Sequence, residues 1–254
     1  LLCIFTSQKE INMFKIVISQ SNLKCIIDAI SHLTTDAKIS ISEDGLKIQA
    51  VDAANVAMCF LHAKASAFDH FEAAPGEIAL DLQKLQSLAS GKEPVSMTLE
   101  EETHKLHIAV GRAKYTMSLL DPSSIKAGPR IPQLDLPCSI TMTGSDLQEA
   151  IKAAGKVSDH VVFEQTDEEF IFSAKGDIDS FKMPFQLTEL IGIRHGISRA
   201  LFSLDYIQDI AKVASGSREV ILETGIDYPA RIAFNPVMDI SVTYLMAPRI
   251  ESEN

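Results

Sequence analysis

Ser21-Asn22-Leu23-Lys24-Cys25-Ile26-Ile27 and Ser145-Asp146-Leu147-Gln148-Glu149-Ala150-Ile151 carry one hydrophobic phase, and laying the second on the first sets a register that runs far beyond them. In that register Asp44 meets Glu168, Leu46 meets Phe170, Ile48 meets Phe172 and Ala50 meets Ala174. With a shift of two residues, Leu82, Leu85, Leu88 and Ala89 then fall on Leu204, Ile207, Ile210 and Ala211. The segment 106–109 matches 230–233 in pattern. Identity is low, but element type and phase agree in order, the signature of an internal repeat. The chain is one unit written twice.

The copies meet in residues 121–137, which hold Pro122, Pro129, Pro132 and Pro137. Proline fixes its own φ and drives the preceding residue to extended conformations, so this stretch reads as a surface connector. The expected domains are 13–120 and 138–254. Residues 1–12 precede Met13, lack a basic start and read as an upstream leader outside the fold.

Within the first copy, alternation predicts strands over 13–18, 37–42, 46–51, 56–61, 95–100, 105–110 and 115–120, with Glu43-Asp44-Gly45 as a turn. A helix capped by Ser21 carries Leu23, Ile26, Ile27 and Ile30 on one face, and a second spans 82–89. The second copy predicts strands over 139–142, 161–165, 170–174, 179–185, 201–203, 219–223, 231–235 and 239–245, and helices over 145–157 and 204–214. Each half is therefore α+β, antiparallel strands with two amphipathic helices on one side of a sheet.

Composition narrows function less than pattern does. Hydrophobic residues make up 46% of the 254, which suits packed cores, and no apolar run is long enough to span a bilayer. Cys3, Cys25, Cys59 and Cys138 are scattered with no C-x-x-C pair, which suits a reducing cytoplasm and argues against a zinc site or disulfide framework. The net charge of −11 runs against a protein that wraps nucleic acid in basic surface. Charge averaged over a chain still leaves single faces undecided.

Catalytic patterns are missing from the sequence. Gly91-Lys92 lacks the rest of a phosphate-binding loop, and no nucleophile elbow, dinucleotide fingerprint or H-E-x-x-H occurs. His104 and His107 on a strand would face opposite sides, which leaves no metal pair. Asp167-Glu168-Glu169 reads as a solvated turn, so neither enzyme nor cofactor is called for.

Three stretches resemble one family. Gly45 to Met58 (GLKIQAVDAANVAM) is similar to the early strand–loop–strand of the proliferating cell nuclear antigen family, and Leu245-Met246-Ala247-Pro248-Arg249-Ile250-Glu251 to its C-terminal signature. Pro129-Arg130-Ile131-Pro132 resembles its connecting loop, particularly in archaeal members. The resemblance covers residues 13–251. It implies a DNA-clamp fold and a homotrimer closed head to tail, helices inside and sheets outside. Such a ring encircles duplex DNA without sequence preference. A clamp loader opens it, and it tethers DNA polymerase, flap nuclease and ligase through short aromatic-anchored peptides, in the cytoplasm at the nucleoid.

The same resemblance assigns residues. Lys24, Lys84, Lys152, Lys156 and Lys212 on the helices, with Lys92 and Arg218 just past two of them, would line the DNA channel. Yet those helices also carry Asp28, Asp81, Asp146, Glu149, Asp205 and Asp209, so the face is not basic. Several of the acids sit at helix N-termini, where the dipole favours them. A partner-peptide pocket would draw on Val51, Asn55, Val56, Met58, Ile131, Pro229, Leu245, Ala247 and Pro248. Leu245 stands where many relatives carry an aromatic residue. Subunits would meet between a strand near 111–118, with Arg112, Lys114 and Tyr115, and one near 179–185, with Asp177, Asp179 and Phe181. Pro184 would limit that ladder. Two other readings remain: a subunit of a heterotrimeric or checkpoint-type clamp, and a small-molecule enzyme on a duplicated α+β fold.

Overall fold

A computed structural model describes residues 14–125 and 134–250. The leader 1–12 and Ile131 of the expected pocket lie outside the described residues. The first half runs β1 (Phe14–Ile18), α1 (Gln20–Ser31), β2 (Asp36–Ser42), β3 (Gly45–Val51), β4 (Ala57–Lys64), β5 (His70–Ala73), β6 (Gly76–Asp81), α2 (Leu82–Leu88), β7 (Val95–Glu100), β8 (Lys105–Val110) and β9 (Ala113–Ser118). The second runs β10 (Cys138–Met142), α3 (Gly144–Ala154), β11 (His160–Gln165), β12 (Glu169–Lys175), β13 (Ser180–Gln186), β14 (Gly192–Arg194), β15 (Ser198–Ser203), α4 (Leu204–Ala214), β16 (Val220–Thr224), β17 (Ala230–Val237) and β18 (Ile240–Met246). The repeat is complete, element for element.

Pairing repeats as well. The order β5-β1-β7-β8-β9 in the first half has its counterpart in β14-β10-β16-β17-β18, and β4-β3-β2-β6 in β13-β12-β11-β15. One difference changes the architecture. β18 pairs antiparallel with β4, from Ile240 opposite Ala63 to Met246 opposite Ala57, and fuses two half-sheets into one of nine strands. The equivalent strands β9 and β13 each have one neighbour and end their sheets.

Alternation along the strands explains the layers. In β2 the residues Ala37, Ile39 and Ile41 are buried, and in β16 Val220, Leu222 and Thr224 are buried. Successive side chains point to opposite faces, so one face of each sheet goes under the helices. There α1 packs on β4 and α4 on β17, and one continuous core holds Ile26, Ile30, Ile207, Ile210 and Tyr244.

Several sequence expectations need correction. α1 is capped by Ser19, whose hydroxyl accepts the Asn22 amide, rather than by Ser21. Ser19 supplies the extended backbone a cap requires. α3 begins at Gly144 behind Thr143 and ends before Lys156. Strands β5, β6 and β14 were not foreseen; the first and last are short and lie at sheet edges, where alternation is weak. His104 lies in the turn before β8 with a positive φ of 50°, so the two histidines do not share a strand. Pro184 sits inside edge strand β13, opposite Ile171 in the ladder to β12; the ladder it was expected to limit is the one to another subunit.

Tyr244 is fully buried, and its hydroxyl donates to the Ala29 carbonyl of α1 at 2.7 Å, tying the second half's last strand to the first half's helix. Replacing it with Phe keeps the ring and removes the bond. Tyr244→Phe should destabilise the fold by about 1 kcal/mol in urea unfolding, with unchanged secondary structure.

Candidate functional site

The helix face comes first. α3 and α4 approach so closely that a Cβ on Gly144 would lie 1.9 Å from the Ala214 carbonyl oxygen, which makes glycine obligatory there. The Gly144 amide donates to the Ser217 carbonyl at 2.9 Å. Beside this crossing lies a groove of about 430 Å³, lined by Gln148, Lys152, Lys156, Gln208, Asp209 and Lys212. Three of the expected channel lysines thus converge. Lys24 pairs instead with Asp28 on its own helix, while Lys84 and Lys92 stand exposed at and beyond α2. Arg218, past the end of α4, borders a separate cleft with Ile221, Asn235 and Met238.

The second site is built on the joint between half-sheets. Register places Val51 beside Met58, Met58 beside Leu245 and Leu245 beside Arg231, one row on the outward face. Val51 also borders a cleft of about 590 Å³ with His32, Lys38, Gln49 and Ile125. Val56 and Met58 are half-buried, Asn55 and Ala247 exposed, Pro229 and Pro248 half-buried. Leu245 is only 4% exposed, so it floors the row rather than projecting from it. The Ala247 amide donates to the Val56 carbonyl at 2.8 Å, which joins the two signature stretches directly.

Asp52 organises this corner, a role the sequence reading missed. Its carboxylate accepts the amides of Val56 and Ala57 at 2.7 Å each and of Ala54 at 2.9 Å, and the Tyr206 hydroxyl of α4 at 2.9 Å. Asn55 takes a positive φ of 57°, which the turn needs and asparagine tolerates. The signal was present: an aspartate opening a small-residue loop is an Asx-turn former. Tyr206 carried no sequence signal, because nothing local tells which loop a helix will meet.

A second unforeseen cluster pins the connector. Arg194 donates to the Leu136 carbonyl at 2.6 Å and Arg231 to the Leu134 carbonyl at 3.2 Å, while Glu223 accepts from both arginines at 3.0 and 2.9 Å. The expected subunit-contact residues lie on separate sheets of one chain. Arg112, Lys114 and Tyr115 sit at and before β9, and Asp177, Asp179 and Phe181 at and before β13. Ile178, beside them, is 94% exposed.

Two family models match the chain: the proliferating cell nuclear antigen N-terminal domain over residues 13–117 and its C-terminal domain over 130–249. The chain belongs to the proliferating cell nuclear antigen family. It is 48% identical over 244 residues to a DNA polymerase sliding clamp of Methanothrix thermoacetophila, spanning 95% of this chain and 100% of the relative. It is 45% identical to one of Methanococcoides burtonii with the same coverage. A solved A. fulgidus family member with the C-terminal region of FEN-1 bound superposes with a TM-score of 0.90 at 37% identity, covering 95% of this chain and 100% of that one. A Thermococcus kodakaraensis family member shares the fold, with a TM-score of 0.83 at 22% identity over 93% of this chain and 100% of that one. The chain is thus a DNA polymerase sliding clamp, a non-catalytic processivity factor of archaeal type. Among the described residues no His, Cys, Asp or Glu group could hold a metal, and no helix is long and apolar enough to cross a membrane.

The Asp52 network sets a pH test. Burial pushes its carboxyl up, but the Ala57 amide, the Tyr206 hydroxyl and the Ala54 and Val56 amides outweigh it, so the group titrates below its ordinary value. A carboxyl depressed on folding contributes stability that is full above its unfolded value near about 3.9 and is lost as pH falls through the folded one. The stability difference between this clamp and Asp52→Asn should be largest near neutral pH and shrink at about pH 3. Urea unfolding at both pH values measures it; a constant difference would remove the account.

Proposed function

We propose that three copies of this chain close head to tail into a ring around duplex DNA, helices inward. The observation that carries the reading is the pair of unmatched edges. β9 is the repeat equivalent of β18, and β13 of β4; inside the chain β18 and β4 already form a joint. A second copy can repeat that joint with β9 and β13. The contact is heterologous, so it either closes by rotation or grows without end, and closure buries every such edge.

The internal joint also supplies a register. Tyr244 lies opposite Cys59. Their repeat equivalents are Tyr115, opposite Ile108 as Tyr244 is opposite Ile232, and Phe181, opposite Ala174 as Cys59 is opposite Ala50. Tyr115 of one copy should therefore face Phe181 of the next, with Ile178 covered nearby. In that register Met117 lies opposite Asp179 and Lys114 opposite Lys182, so the expected ionic pairing of Arg112 and Lys114 with Asp177 and Asp179 gains no support from it. With its native cysteines replaced, a Tyr115→Cys, Phe181→Cys chain should cross-link to closed trimers on oxidation, and either single change should not. Failure to cross-link alongside a monomeric solution mass would sink the ring.

In that ring the α3–α4 groove faces DNA through Lys152, Lys156 and Lys212, with Lys24, Lys84 and Lys92 contributing weaker, scattered charge. A clamp that slides needs only sequence-independent phosphate contacts, and few of them. A loader would open the ring on DNA at the nucleoid in the cytoplasm. Polymerase, flap nuclease and ligase would dock aromatic-anchored peptides on the outward row Val51, Met58 and Leu245 with Val56, Pro229, Ala247 and Pro248; the peptide-bound A. fulgidus relative supports this. Lys152→Glu with Lys156→Glu should cut retention on loaded circular DNA about tenfold without changing ring mass. Retention equal to the parent's would detach these lysines from the channel.

A further inference from the structure

Tyr206 reaches from the helix face to the outward corner and touches the one carboxylate that shapes it. α4 carries Lys212 and Asp209 into the helix-side groove, yet its Tyr206 hydroxyl donates to Asp52 across the boundary between halves. Asp52 is 7% exposed and spends its remaining acceptor capacity on the amides of Ala54, Val56 and Ala57. Its own amide donates to the Ala57 carbonyl at 3.0 Å, and its carbonyl accepts the Asn55 amide at 3.1 Å. The loop is closed on this side chain from every direction. Its outer end presents Val56, whose carbonyl takes the Ala247 amide.

The repeat shows that this latch is not a requirement of the fold. In the second half the register that lays Ala50 on Ala174 puts Gly176 where the first half has Asp52. The register that lays Leu85 on Ile207 puts Lys84 where the second half has Tyr206. The equivalent turn, between β12 and β13, is closed by the Gly176 amide on the Asp179 carbonyl at 2.9 Å, with no side chain at its centre. Two turns of equal topological rank thus differ in one device. The turn that carries it is the one beside Val56, Met58 and Ala247.

We propose that Tyr206 is a positioning residue for the partner-peptide site: by holding Asp52 it fixes the turn that presents Val56 and seats Ala247, so a residue of the helix layer sets peptide affinity on the opposite face. The inference rests on the outward row being the peptide site. A hydrogen bond to a buried carboxylate is among the stronger neutral-to-charged contacts, and removing its donor leaves an oxygen short of a partner. The loop then samples other closures, and a peptide must select the competent one, which lowers its apparent affinity by that fraction.

The test uses the full-length protein and, as probe, the synthetic C-terminal peptide of FEN-1, titrated calorimetrically well below the unfolding transition. Ala247→Asp, which charges the row itself, reports on the site; Tyr206→Phe reports on the latch. The expected result is loss of binding in Ala247→Asp and affinity about tenfold weaker in Tyr206→Phe, with ring mass unchanged and faster hydrogen exchange at the amides of Val56 and Ala57. Asp52→Asn combined with Tyr206→Phe should cost less than the two separately, because both act through one contact. If Ala247→Asp abolishes binding while Tyr206→Phe binds as the parent does, the latch is overturned and the site stands. If neither change affects binding, the site is elsewhere and the latch falls with it. Lower thermal stability in Tyr206→Phe at unaltered affinity would mark the contact as structural only, and overturns the proposal as well.

Discussion

The ladder between β18 and β4 is the constraint on which everything else depends. It joins the end of the chain to its first half through seven register pairs and converts two similar half-sheets into one of nine strands. Without it, β4 and β18 would each be an unpaired sheet edge. With it, α1 and α4 find a shared surface, and Tyr244 can reach the Ala29 carbonyl across the boundary. The two signature stretches, far apart in sequence, become neighbours because they are the two strands of this ladder and the turns at its end.

The same ladder explains where the functional surfaces lie. The inward faces of its strands are taken by core packing, and the outward row proposed as the peptide site ends where the Asp52 turn and Ala247 frame it. On the helix side, the small residue Gly144 lets α3 and α4 cross closely enough to gather Lys152, Lys156 and Lys212 around one groove. A chain of net charge −11 thereby concentrates part of its positive charge on one face while acidic residues occupy helix starts and turns. The overall acidity is compatible with DNA encirclement because sliding needs weak contact.

Duplication gives a simple route to a ring. A unit whose one end matches its own other end can pair within a chain or between chains, and here it does the first once and leaves the second available. The two copies differ at the joint and at the open edges. The joint inside the chain carries Asp52 and Tyr206, and the connector beside it is held by Glu223 with Arg194 and Arg231. The open edges carry Tyr115 and Phe181, with Ile178 exposed beside them.

What could be read from the residues alone was whatever is local or repeats. Hydrophobic phase located the four helices and most strands, and the repeat announced two like domains, because these follow from backbone geometry and side-chain periodicity. Edge strands such as β5 and β14 escaped, since a short strand with one wet face has little pattern to show. The seven expected channel residues lie on or just past the helices, and tertiary packing separates them: Lys152, Lys156 and Lys212 share a groove, Lys24 is tied to Asp28, and Arg218 borders a different cleft. Leu245 was legible as part of a signature but not as buried. Only the folded chain could show that Asp52 meets Tyr206, because a hydrogen bond between residues so distant in sequence exists only after the β18–β4 ladder has brought the two halves together.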